Sequence, residues 1–317
     1  MEPTEKTTLS AFISAGTSPL GRAVTRALVA AGHKVTAMTT NRAGAETIRA
    51  DGGLPVYAEP HHTGEIKSMM KMAKTDVALH LSPQQFNEVP FVAAAPDANA
   101  LLAHAEAFIQ AAQAAGVKFL AHTSFANLYA DTGGEVVDES APLTHLWHPW
   151  FDAAKQVEWR TLEADVPACV LRAGYVYGAT TESLSVMEVA LKQGRSIPVG
   201  HGENFANWIH IDDFARALAL VAQKHPDGEI FNLVDDHPVT PAQFLSRFAT
   251  AQGLPAPGAP RARLFGDKWA ETLLKTSIKA SNAKIKEALG WMPQYPEYGV
   301  GIDHVLLMWR AMMTVKP

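Results

Sequence analysis

From Ala11 to Met38 the chain reads Ala11-Phe-Ile-Ser-Ala-Gly-Thr-Ser-Pro-Leu-Gly21, then an alanine-rich stretch to Ala31, then Gly32-His-Lys-Val-Thr-Ala-Met38. An apolar run, a tight turn on Gly16 and Gly21, a helical pattern and a second apolar run make a β-turn-α-β unit. A diphosphate needs backbone N–H groups from the first turn of a helix, and the chain comes close to it only where side chains are small. Gly16, Thr17 and Ser18 supply the smallness, and Pro19 suits a first helical turn. Gly21 lets the helix lie close on the strand. Against a G-x-x-G-x-x-G spacing the positions read Ala15, Ser18 and Gly21, with Gly16 displaced by one. An ordinary strand-to-helix turn remains open on this stretch alone.

The 317 residues suffice for one large domain or two smaller ones. A formal net charge of -5 gives no basic footprint for nucleic acid. The single cysteine, Cys169, lies in the apolar run Val166 to Leu171 and reads as a core residue in a reducing compartment. The polar leader Met1 to Thr8 lacks a signal-peptide core, and no apolar run reaches the ~20 residues of a membrane helix. The expectation is a cytoplasmic protein with a small-molecule substrate and neither nucleic-acid nor membrane partner; a homodimer is compatible with it.

Short apolar runs continue to alternate with helical stretches. Strands are expected at Leu54 to Tyr57, Val77 to Leu81, Val117 to His122 and Ala168 to Arg172, and helices at Gly44 to Ala50, Glu65 to Ala73, Ala98 to Ala115 and Phe151 to Ala164. That alternation implies right-handed crossovers and an α/β fold, a Rossmann-type doubly wound parallel sheet. After Arg172 the chain becomes glycine-rich around one helix, Leu184 to Gln193. Trp208 to Ile211 then reads as a return to the sheet, followed by a helix from Asp212 to Gln223 and a strand at Ile230 to Val234. A Pro/Gly-rich linker, Gly253 to Pro260, divides the last quarter. The expected division is a dinucleotide-binding core over 9–172, rejoined by 206–235, and a smaller C-terminal substrate lobe from 173–205 and 236–300.

Several motifs, in order, resemble the short-chain dehydrogenase/reductase superfamily in its extended or atypical branch of NAD-dependent epimerase/dehydratase-like proteins. Ser14-Ala-Gly-Thr-Ser-Pro-Leu-Gly21 is similar to the cofactor turn, and Leu79-His-Leu-Ser82 to the strand end beside the cofactor. Arg172-Ala-Gly-Tyr-Val-Tyr-Gly178 resembles R-P-x-x-V-Y-G with Ala173 for proline. His210-Ile-Asp-Asp-Phe-Ala215, Glu229-Ile-Phe-Asn-Leu233 and Ala288-Leu-Gly-Trp291 match later family segments. The resemblance implies cofactor contacts at Gly16, Thr17, Ser18, Leu20, Gly21, Thr40, Arg42, Glu59, Leu81, Ser82, Lys155, Tyr175 and Val176. It implies substrate contacts at Phe86, Phe125, Trp147, His148, Phe151, Arg195 and Trp208.

The family's proton chemistry rests on Tyr-x-x-x-Lys and on a Ser or Thr four residues before the tyrosine of its S-x-x-V-Y segment. Here these read Phe151-Asp-Ala-Ala-Lys155 and, within Ser124-Phe-Ala-Asn-Leu-Tyr129, Phe125. A phenyl ring neither donates nor accepts a proton, so the usual mechanism does not carry over. Lys155 remains, and Tyr129 and Ser124 are the candidate substitutes. For Tyr129 a structural role at a strand end is the alternative, and Ser124 would serve only with a shifted register. His61, His62 and His80 lack the spacing of metal ligands. After the second strand, Thr39, Thr40, Asn41 and Arg42 stand where an NAD site carries a carboxylate, which favours NADP over NAD. Two functions follow: an atypical NAD(P)-dependent enzyme with non-standard proton chemistry, or a catalytically silent NADP(H)-binding sensor.

Overall fold

The computed structural model describes residues 8–81, 97–145, 148–195, 197, 203–256, 273 and 275–314. Five strands in chain order, β1 (Ser10–Ile13), β2 (Lys34–Thr39), β3 (Leu54–Tyr57), β4 (Val77–Leu81) and β5 (Phe119–Phe125), precede a short β6 (Val136–Val137). They are followed by β7 (Ala168–Ala173), β8 (Tyr175–Tyr177), β9 (Trp208–His210) and β10 (Glu229–Leu233). The main sheet has seven strands in the order β10-β7-β5-β4-β1-β2-β3, every pairing parallel. The order reverses between β1 and β4, which opens a crevice at the carboxyl ends of these strands.

The alternation of side chains across the strands builds two cores, one on each face. Ala11, Ile13, Val77 and Leu79 join one buried cluster with helices α1 (Pro19–Ala30) and α7 (Ile211–Lys224). Phe12, Ala78 and Leu120 join the opposite one with α3 (Thr63–Met72) and α4 (Ala98–Ala115). The outer strand β3 is the exposed edge: Leu54 and Tyr57 are largely exposed, and Pro55, which has no N–H to offer a further strand, is tolerated there. Helix α4 begins on the Asp97 side chain, which accepts from Asn99 N at 2.9 Å, and ends on Gly116 at φ 75°.

The expected helices are present with ends shifted by a few residues: α2 spans Arg42–Ala50, α5 spans Pro149–Leu162 and α6 spans Glu182–Lys192. One expectation is corrected. The segment at Trp208 does not rejoin the main sheet; β9 pairs with β8 in a separate two-stranded ladder. The place beside β7 is taken by β10, whose five residues pair with Cys169 to Ala173. A third cluster unites Phe125, Trp150, Phe151, Tyr175 and Trp208 with α8 (Pro241–Thr250) and the helix Tyr298–Thr314. Among the described residues no helix is long and apolar enough to cross a membrane.

Candidate active site

The turn after β1 has the form its small residues require. Ser18 caps α1, its Oγ accepting from Gly21 N at 3.0 Å and donating to Ala15 O at 2.9 Å. A Cβ on Gly21 would collide with the Ala15 carbonyl, and one on Gly16 would lie 2.6 Å from Ala37 Cβ on β2. Only glycine allows both approaches. The turn leads into the crevice, where a cavity of about 210 Å³ opens beside Ser14, Ala15 and Thr17. Its walls are Ser14, Ala15 and Thr17 from the turn, Met38, Thr39 and Thr40 from β2, Ala58 and Pro60 after β3, His80 and Leu81 from β4, and Leu101, His104 and Phe108 from α4. Small turn residues on one side and the apolar Leu81, Leu101 and Phe108 on another give the lining expected of a dinucleotide crevice.

Of the expected cofactor residues, Thr17, Thr40 and Leu81 line this cavity. Leu20 is 2% exposed and belongs to the core under α1. Glu59 is solvent-facing, and the wall at that point is made by its neighbours Ala58 and Pro60. Arg42 is 90% exposed and pairs with Glu46 at 3.3 Å. Tyr175 and Val176 are buried in β8, outside the cavity lining. Ser82, Phe86 and Trp147 lie outside the described residues.

On the substrate side, His148 caps α5, its Nδ1 accepting from Trp150 N at 3.3 Å. Phe151 follows in the first turn, 1% exposed and edge-on to Trp150 at 5.0 Å. Lys155, one turn on, pairs with Asp152 at 2.9 Å and donates to Thr144 O at 3.3 Å. Phe125 meets Trp150 and Tyr175 edge-on at 5.4 and 5.8 Å. Tyr175 contacts Trp208 at 5.4 Å, and Trp208 stacks on Phe244 at 3.8 Å. The two altered positions and the expected residue Trp208 are thus joined in one aromatic cluster. Arg195, on the turn after α6, is exposed.

Ser124 and Tyr129 are placed differently from the expectation that they approach a substrate, and this is a correction. Ser124 Oγ donates to Glu158 Oε1 at 2.5 Å. Glu158 receives Arg172 through Nε at 3.1 Å and through its terminal nitrogen at 2.7 Å. Arg172 also donates to the Tyr129 hydroxyl at 3.0 Å, which donates to Asn232 Oδ1 at 2.7 Å. Every member is 5% exposed or less. Both hydroxyls are consumed in tying β5, β7, β10 and α5 together, because a buried guanidinium and carboxylate must be fully hydrogen-bonded. Burial pushes the Tyr129 phenol up to about 12, so the structural alternative is the one observed. The sequence signal for this network is Arg172 itself, a lone charge within the fully buried strand Ala168–Ala173.

Two histidine pairs add to the polar groups of the structure. His80 and His122, register partners on β4 and β5, meet Nδ1 to Nδ1 at 2.8 Å, so one nitrogen donates and the other accepts. Elsewhere His210, Asp212 and His304 converge closely enough to hold a metal ion. His210 Nδ1, however, accepts from Asp212 N at 3.2 Å, and its Nε2 lies 3.5 Å from His304 Nδ1. A neutral imidazole has one lone pair, and here it caps α7, which leaves Nε2 protonated and facing His304. The arrangement is a hydrogen-bonded pair rather than an open ligand set.

Residues 12–233 match the family model described as NAD dependent epimerase/dehydratase family. A 3-diazoavenalumate denitrifying reductase from Streptomyces sp is 28% identical over 92% of this chain and 98% of its own length. A 4-hydroxy-2-methyl-3-oxo-4-farnesyl-3,4-dihydroquinoline-1-oxide ketoreductase from Stigmatella aurantiaca is 29% identical, covering 77% of this chain and 74% of its own. Among solved structures, a dTDP-glucose 4,6-dehydratase from Streptomyces venezuelae with NAD bound superposes with a TM-score of 0.80 at 19% identity, over 96% of this chain and 97% of that one. With the family model spanning β1 to β10, this chain belongs to the NAD dependent epimerase/dehydratase family, within the extended short-chain dehydrogenase/reductases.

Proposed function

We propose that this protein is an NAD(P)H-dependent reductase of small, flat aromatic molecules that works without a tyrosine acid. The observation that carries the proposal is the helix α5, where Lys155 is kept one turn from a buried Phe151. With no phenol to tune, the ammonium serves as a ligand for the nicotinamide ribose. The bound cofactor supplies the hydride; the chain's part is to hold it by the α1 turn and to exclude water from the acceptor with the aromatic cluster. Substrates reduced without an enzymic phenol are those that stabilise added electron density themselves, and the reductases named above support this class. The division into a dinucleotide core (9–172 with 206–235) and a substrate lobe (173–205 with 236–300) is part of this reading.

Two features support NADP as the preferred cofactor. No carboxylate stands at positions 39 to 42, at the end of β2, to repel a 2′-phosphate, and Arg42 sits on the first turn of α2, exposed and held by a surface pair with Glu46. A second reading, a silent NADP(H)-binding sensor, is favoured by the paired phenylalanines at 125 and 151. Absorbance at the nicotinamide band separates the two. Consumption of NADPH with 9,10-phenanthrenequinone supports the reductase, and tight NADPH binding with no consumption across electron-poor aromatics supports the sensor.

A further inference from the structure

Three buried polar groups centred on Tyr175, which itself meets Phe125 edge-on, have unspent hydrogen-bonding capacity. Asn127 Nδ2 is 2.5 Å from the Tyr175 hydroxyl, while Asn127 Oδ1 has no partner among the described residues. The Trp208 indole N–H, on a ring in contact with Tyr175, likewise has none. Asn127, Tyr175 and Trp208 are 5%, 1% and 2% exposed. Turning the Asn127 amide over would let the Tyr175 hydroxyl donate to Oδ1, but would leave the amide N–H₂ unsatisfied instead. Either way donor capacity remains. Native interiors rarely leave such groups unused, and each exception calls for a ligand or another reason.

We infer that Asn127, Tyr175 and Trp208 form a subsite for one neutral oxygen atom, the carbonyl or N-oxide oxygen of a flat aromatic substrate. The inference rests on the reductase reading for its setting and adds to it the polar anchor. Stacked Trp208 and Phe244, with Tyr175 tilted beside them, suit an aromatic body. With the Asn127 amide donating to the Tyr175 oxygen, the donors left for a substrate oxygen are the Tyr175 O–H and the Trp208 indole N–H, both uncharged, and Asn127 orients the phenol. A diphosphate would demand cations, and the expected one, Arg195, is exposed on a turn. Burial holds the Tyr175 phenol well above its ordinary range, so it stays a donor at neutral pH. The subsite thus stands in for the hydroxyls lost at positions 125 and 151 as an anchor for the substrate oxygen.

The test is calorimetric titration of the NADP⁺-saturated protein with 1-indanone, with indane, its carbonyl-free analogue, and with UDP. The wild type is expected to prefer 1-indanone to indane and to bind it more tightly than UDP. Tyr175→Phe and Trp208→Phe, which each delete one donor and keep the ring, are expected to cut that preference by about two- to tenfold. A purely structural role would change stability but not the ratio between the two probes. Should one variant fail to fold, the other gives the same reading. Equal affinity for the two probes in the wild type, an unchanged ratio in the folded variants, or tighter binding of UDP overturns the subsite. NADPH consumption with an unchanged ratio would remove the subsite and leave the reductase. An oxygen-dependent preference without NADPH consumption would do the reverse.

Discussion

The Arg172 guanidinium and the Glu158 carboxylate meet at 2.7 Å with side chains 4% and 5% exposed, and the carboxylate also receives Ser124 near the end of β5. Removing one partner leaves an uncompensated buried charge, which costs about 3–5 kcal/mol. Against a typical total stability of about 5–15 kcal/mol, Glu158→Ala should lower the thermal midpoint sharply. Replacing both partners, Glu158→Leu with Arg172→Met, should cost less than Glu158→Ala alone. A double variant less stable than the single one would show that packing, not charge, dominates here.

Arg42 is exposed and, among the described residues, pairs with Glu46 on the same helix, a surface pair worth about 0.5 kcal/mol or less. Its release toward a 2′-phosphate is therefore cheap. Arg42→Ala is expected to weaken NADPH binding by about tenfold, the order of one charge-assisted hydrogen bond, and to leave NADH almost unchanged. Calorimetric titration with both cofactors checks it; equal losses would make Arg42 a bystander.

The His80 and His122 pair gives the fold an acid sensitivity of defined sign. Burial pushes His122 down to about 3 and His80 well below its ordinary value. Between about 3 and the unfolded value of about 6.5 the unfolded chain binds protons that the native rings refuse. Stability is therefore full above about pH 6.5 and is lost as pH falls, by roughly 2 kcal/mol at pH 5 for His122, with His80 acting in the same direction. Urea midpoints at pH 7 and pH 5 should differ less in His80→Leu/His122→Leu than in the wild type. An unchanged difference would place the acid sensitivity elsewhere.

The sheet was legible in the sequence because buried parallel strands read as apolar runs: β3 and β4 match the expected ends, and α4 matches throughout. The start of α5 was less legible, since Pro149 at its first position and the His148 cap look like loop residues in a string. β9 was misassigned because a strand of three residues, Trp208 to His210, carries no record of which sheet it joins. The turn at Gly16 and Gly21 was readable from residue size alone. The buried network was not, because its members come from three separate stretches of sequence, with Ser124 and Tyr129 in one, Glu158 and Arg172 in the next and Asn232 in the last, and the β5–β7–β10 order with α5 packed on it brings them together. The lesson for the site is that a hydroxyl near a motif is not thereby near a substrate.

Restoring the missing phenol tests the reading of Phe151 and Lys155. Phe151→Tyr adds a hydroxyl one helical turn from the Lys155 ammonium, which should depress its pKa by charge proximity. NADPH-dependent reduction of small aliphatic ketones, which cannot stabilise electron density themselves, is expected to rise by about 10² to 10⁴-fold, the usual worth of general acid catalysis. Robust wild-type ketone reduction that Phe151→Tyr leaves unaltered would mean that another group already delivers the proton.

The central claim is that this chain delivers hydride to an aromatic acceptor without a tyrosine acid. The most direct measurement incubates the wild type with NADPH deuterated at the transferable C4 position and 9,10-phenanthrenequinone, then follows NADPH consumption and isolates the oxidised cofactor and the reduced acceptor. Enzyme-dependent loss of deuterium from C4 with stoichiometric formation of the hydroquinone is the expected result. Saturating NADPH binding with deuterium fully retained at C4, for this acceptor and for other electron-poor aromatics, would contradict the claim and leave a binding protein in its place.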